Sequence, residues 1–105
     1  MYAAVLTGIG GIHYRSLAYQ DAENYYLQAK DIRKKVLGEM HSDYAGSLSN
    51  LAHLYNDTGD YEKADMLYNE SLTILRTVLG YKHPLYISGM NVLARFYWRQ
   101  HAYNK

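Results

Sequence analysis

The stretch LSNLAHLYNDTGDYEKADMLYNESLTIL, residues 48–75, sets two helical patterns on either side of a turn. Before the turn, Tyr44, Leu48, Leu51 with Ala52, and Tyr55 recur one turn apart, which predicts one amphipathic helix. After it, Tyr61, Ala64, Tyr68, Leu72, Leu75 and Leu79 keep helical spacing and predict a longer helix over residues 61–79. Gly59 suits a left-handed helix end and Asp60 suits the N-cap of the next helix, so the two are expected to fold back on each other.

Displacing the sequence by 42 residues brings Tyr19 onto Tyr61 and Tyr103, Ala22 onto Ala64, Tyr26 onto Tyr68 and Ile32 onto Ile74. Tyr44 falls on Tyr86, Leu51 on Leu93, Ala52 on Ala94, Tyr55 on Tyr97, and VLGEMH (36–41) on VLGYKH (78–83). Nine of the 13 tyrosines are thereby in register, which chance does not produce. A fixed period of this size marks a solenoid, whose units bury their apolar faces only by stacking. The predicted architecture is all-α, an α-solenoid of antiparallel helical hairpins with about two and a half repeats. Repeat 1 spans about 5–41 with a degenerate first helix, repeat 2 about 42–83, and a truncated repeat 3 about 84–105. Each repeat has a first (A) and a second (B) helix. Gly38 and Gly80 are expected to end the B helices as Gly59 ends an A helix; Ser42 is expected to cap one following A helix, and Pro84 to open the other.

Residues 48–75 resemble a tetratricopeptide repeat. Leu48, Leu51, Ala52, Tyr55, Gly59, Tyr61, Ala64 and Tyr68 match its large and small positions, and Ser71 stands where that family usually has alanine. The 42-residue spacing and the ending VLGYKHP look like the extended variant of kinesin light chains. The period alone would admit HEAT or armadillo units. The order LA-x-LY-x3-G-x-Y-x2-A decides against them. The resemblance is strong over 42–97 and weaker at the ends. There His13 replaces the A-helix tyrosine, Leu17 and His101 replace turn glycines, and a third B helix is expected to begin near Tyr103. Gly8, Gly10 and Gly11 each cost roughly 1 kcal/mol of helix propensity relative to alanine, so the first A helix is expected to fray.

The resemblance implies a non-catalytic protein-interaction scaffold whose A helices line a concave groove. Its ligand positions carry over to Ser49, Asn50, His53 and Asn56 in repeat 2, and to Asn91, Arg95 and Trp98 in repeat 3. Helical spacing puts Ser49, His53 and Asn56 on one stripe, and Asn91, Arg95 and Trp98 on another. Asparagine can donate to and accept from an extended backbone, while Trp and Arg often dominate interface energies. Trp98 reads equally as packing against a third B helix, and Asn50 and Asn91 as helix-to-helix hydrogen bonders. Family members that clamp a chaperone's terminal carboxylate carry Lys or Arg where this chain has Ser88 and Val92, so that ligand is not expected. The implied partner is a protein, bound as an extended peptide or helix. Two other readings remain: self-association through an open C-terminal repeat, and a regulatory segment of a larger signalling or enzymatic chain.

Composition narrows the alternatives. With 11 Lys plus Arg against 10 Asp plus Glu, the net charge of +1 argues against nucleic-acid or anionic-membrane partners. Absence of cysteine rules out disulfides and thiolate sites. MYAAVLTGIGGI (1–12) lacks a basic leader and is shorter than a span, and a cytoplasmic setting is the expectation. No cofactor is expected. Gly8–Gly11 has neither a preceding strand nor the Lys-Ser or Lys-Thr of a phosphate loop. His53 and Asp57 share a helix face but have no third metal ligand at suitable spacing. His41 and His83 occupy equivalent positions one period apart and read as cap and loop residues, not convergent reagents. Lys30, Arg33, Lys34 and Lys35 fit a solvated face near a helix C-terminus. Glu62 and Asp65 are expected on an exposed helix face, no hydrolytic triad can be assembled, and the chain is not expected to be an enzyme.

Overall fold

The computed structural model describes residues 2–103 as five helices: α1 (Tyr2–Arg15), α2 (Tyr19–Leu37), α3 (Ser42–Thr58), α4 (Tyr61–Leu79) and α5 (Pro84–Tyr103). α1, α3 and α5 are A helices; α2 and α4 are B helices. α1 pairs with α2 and α3 with α4 as hairpins, while α3 also packs on α2 and α5 on α4. α5 runs straight through His101, and a third B helix starting near Tyr103 would lie at and beyond the edge of the described residues.

Both hairpins close through the same turn. At the end of α3 the Asp60 N–H donates to the Tyr55 carbonyl and the Gly59 N–H to the Asn56 carbonyl, with Gly59 left-handed at φ 91°. One period earlier the Ala18 N–H donates to the His13 carbonyl and the Leu17 N–H to the Tyr14 carbonyl. Leu17 holds this geometry at φ 65° without being glycine, and its side chain is exposed. A left-handed L-residue costs on the order of 1–2 kcal/mol, part of which glycine returns as unfolded-state entropy. Leu17→Gly should therefore raise stability by about 0.5–1 kcal/mol in urea unfolding, and a loss of stability would show that the turn is not strained.

α1, where the glycines led to an expectation of fraying, is a continuous 14-residue helix in the structure. Ala3 and Leu6 are buried against Ala29 of α2, and this packing outweighs the glycine propensity cost. Gly10 is part of the packing. A Cβ there would lie 2.9 Å from two ring carbons of Tyr26, so the missing side chain is what lets α2 approach.

The B helices end differently from α3. Gly38 and Gly80 combine φ of 87° and 92° with ψ of 170° and 168°, an extended left-handed conformation open essentially to glycine alone. The cap that follows is His41, not Ser42. Its Nδ1 accepts from the Asp43 N–H at 3.0 Å, and one period later His83 Nδ1 accepts from the Leu85 N–H at 3.1 Å. Ser42 is the first residue of α3 itself.

Alanines sit where helices cross most closely: Ala22, Ala45, Ala52 and Ala64 are fully buried. Around them Leu51 and Leu54 pack on Tyr26, Leu48 on Ile74 and Leu75, and Leu93 and Phe96 on Tyr68 and Leu72. Ser71, in a usual alanine place, is buried and donates to the Ala45 carbonyl at 2.9 Å. Two tyrosines add a periodic tie between units. Tyr55 donates to Glu23 of α2 at 2.6 Å and Tyr97 donates to Asp65 of α4 at 2.5 Å, donors and acceptors both being 42 residues apart. Asp65 is therefore not an idle surface carboxylate. His13, at the corresponding place in α1, stacks on Tyr25 instead.

Candidate binding groove

A groove runs between α3 and α5, with Tyr68 of α4 as its floor. Its wider part is a cavity of about 260 Å³ lined by His53 and Asn56 on one wall and Val92, Arg95, Phe96 and Arg99 on the other. A narrow extension of about 40 Å³ reaches Ser49, Ser71 and Gly89.

The floor is polar and neutral. His53 Nδ1 and the Tyr68 hydroxyl are hydrogen-bonded at 2.8 Å, with the rings edge to face. Burial lowers the His53 pKa, Asp57 opposing it, so the imidazole is uncharged at neutral pH. Burial pushes the Tyr68 phenol up to about 12, with Asp57 adding to the rise and Arg99 countering it. The charge lies on the α5 wall. Arg95 and Arg99 stand one turn apart, both exposed, and the ion pairs among the described residues, Lys34–Glu39 and Lys63–Asp60, leave them out.

Of the residues expected from sequence, His53, Asn56 and Arg95 line the cavity and Ser49 lines the extension, where its hydroxyl also bonds that of Ser71 at 2.9 Å. Asn50 is half-buried and does not line the groove; by register it holds on α3, toward α1, the place Val92 holds on α5. Asn91 is exposed and lines neither part. Trp98, 72% exposed, lies nearly opposite the buried Phe96. With Ile87, Met90 and Ala94 it forms an exposed apolar edge, whereas Ala45, Leu48 and Ala52, the period mates of the last three, are buried beneath α4. Arg99 was not anticipated. The signal for it was the register itself, because 42 residues earlier stands Asp57.

That register explains why the groove opens here. At the α1–α3 interface, Tyr14 and Asp57 hold the places of Asn56 and Arg99, and the Tyr14 hydroxyl donates to the Asp57 carboxylate across the helices. Burial and this bond together raise the Tyr14 pKa, so the phenol keeps its proton and the bond. One interface is bridged; the next carries an amide and a guanidinium with a cavity between them. Among the described residues no three His, Asp or Glu side chains gather as a metal site. No described helix is long and apolar enough to cross a membrane.

Antiparallel hairpins stacked with a side-chain-lined groove between A helices define a repeat scaffold. The tetratricopeptide-repeat family profile matches residues 1–77 and again 43–105, so the chain belongs to that family, whose general role is that of a protein–protein interaction scaffold. Over 45 residues it is 40% identical to a nucleotide-binding leucine-rich repeat (NLR)-like protein of Hyaloscypha variabilis (strain UAMH 11265 / GT02V1 / F). That match covers 43% of this chain and 4% of the relative, so the chain corresponds to a small part of that protein's length.

Proposed function

We propose that the chain binds an extended peptide segment of another protein in the groove between α3 and α5. The observation that carries this reading is the contrast between two equivalent interfaces, one closed by Tyr14 and Asp57 and one left open beside Asn56 and Arg99. Asn56 can donate to and accept from a peptide backbone, Arg95 can bind carbonyls or carboxylates, and Ser49 extends the polar wall along the groove. The test uses peptides selected from a displayed random library and measured by fluorescence anisotropy. Asn56→Trp, which fills the cavity, is expected to weaken binding about tenfold or more, about 1.4 kcal/mol, while Thr77→Trp on the exposed face of α4 leaves it unchanged. Full affinity in a helical Asn56→Trp protein would overturn the assignment.

The 42-residue spacing, the same between α2 and α4 as between α3 and α5, supports placing these repeats with the extended, kinesin-light-chain-like variant. Likeness to the NLR-like protein supports a second reading, in which the array works within a longer chain of that kind. The apolar edge of Ile87, Met90 and Trp98 supports a third, self-association through α5, which light scattering showing only monomer at high concentration would exclude.

A further inference from the structure

We propose that the Arg95–Arg99 end of the groove is a phosphate subsite that takes a phosphorylated side chain of the bound peptide. The proposal rests on reading the α3–α5 groove as the peptide site. Arg95 and Arg99 are four residues apart on α5 and both line the cavity, facing His53 and Asn56 on α3. From Pro84 to Tyr103, α5 contains no Asp or Glu, and neither guanidinium forms an ion pair among the described residues. Asp57 is an acid close to this end, acting with Arg99 on the Tyr68 phenol; it accepts the Tyr14 hydroxyl on its α1 side and, among the described residues, forms no ion pair with either arginine.

The number of charges selects the ligand. Two guanidiniums offer two positive charges and two planar donor forks, and the Asn56 amide adds donors across the cavity. A carboxylate answers with one charge and two oxygens, leaving one guanidinium unmatched. A phosphate monoester carries close to about −2 near neutral pH and three acceptor oxygens, enough for both arginines and Asn56. The α1–α3 interface is an internal comparison: His53 and Asp57 stand there where Arg95 and Arg99 stand here, so that interface lacks the cationic pair.

The test presents the intact chain with three pools of short random peptides that differ only in a central phosphoserine, glutamate or serine. Phosphoserine peptides should be retained at least about tenfold more than either other pool. Arg95→Ala/Arg99→Ala should erase that excess, bringing phosphoserine-pool retention down to the level of the serine pool on the same variant; both side chains are exposed, and a melting curve verifies folding. Glutamate equal to phosphoserine, or an excess that survives the double substitution, overturns the proposal. Equal retention of all pools, lost in Asn56→Trp, overturns it while leaving the peptide groove standing. Retention of none removes both.

Discussion

Leu51→Ala should cost about 3 kcal/mol and lower the thermal midpoint by roughly 10–20 °C. Leu51 is 1% exposed and belongs to the cluster with Ala22, Tyr26 and Leu54, against which Tyr14, Tyr19 and Leu67 also pack. Residues of α1, α2, α3 and α4 therefore meet in the cluster that holds Leu51, and truncating this buried side chain should leave a cavity within it. Its period mate Leu93 is 8% exposed and touches the end of the array, where α5 rests chiefly on α4. Leu93→Ala should loosen α5 first and broaden the transition, because a stacked array unfolds unit by unit once a terminal interface weakens. Circular dichroism melts compare the two directly. Equal, sharp shifts would mean that the five helices unfold as one and that position along the array is irrelevant.

Gly10→Ala and Gly8→Ala should move stability in opposite directions although they lie one half-turn apart on the same helix. At Gly8 an added Cβ meets nothing within 4 Å, so the substitution should return the helix propensity of alanine, about 1 kcal/mol. At Gly10 the methyl would press on the Tyr26 ring at 2.9 Å and on the Tyr25 Cβ at 3.2 Å. Tyr26 is 6% exposed and has no free space to retreat into, so overpacking of about 1–3 kcal/mol should exceed the propensity gain. Chemical denaturation of both variants reads the sign. Stabilisation by Gly10→Ala would mean that α1 can shift away from α2 at no cost.

The hairpin pattern was legible because it is written twice: apolar spacing, turn glycine and period agree at every level from Tyr19 to Tyr97. What escaped sequence reading depended on contacts between helices. Glycine count suggested a frayed α1, whereas one of those glycines makes the close approach to Tyr26 that fixes the helix. Leu17 broke the glycine rule and still made the turn, since the hydrogen bonds at Tyr14 and His13 hold it. Ser42 looked like the cap, whereas His41, already read as a cap and loop residue, is the one that accepts from the Asp43 N–H. Of the positions carried over from the family resemblance, His53, Asn56 and Arg95 line the cavity, while Trp98 is exposed on another face of α5, because spacing along α5 does not say which neighbouring helix each stripe meets. Arg99 needed comparison between repeats, where its counterpart is an acid.

Tyr14 and Asp57 on one side, Asn56 and Arg99 on the other, are two drafts of one interface. Duplication hands a protein a spare copy of each seam, and only one copy must stay shut for the array to hold. The second can differ, and here it carries no such bond and leaves a cavity between its helices. Between the two seams the fold is the same and these two letters differ, and those two decide whether the helices are tied or stand apart.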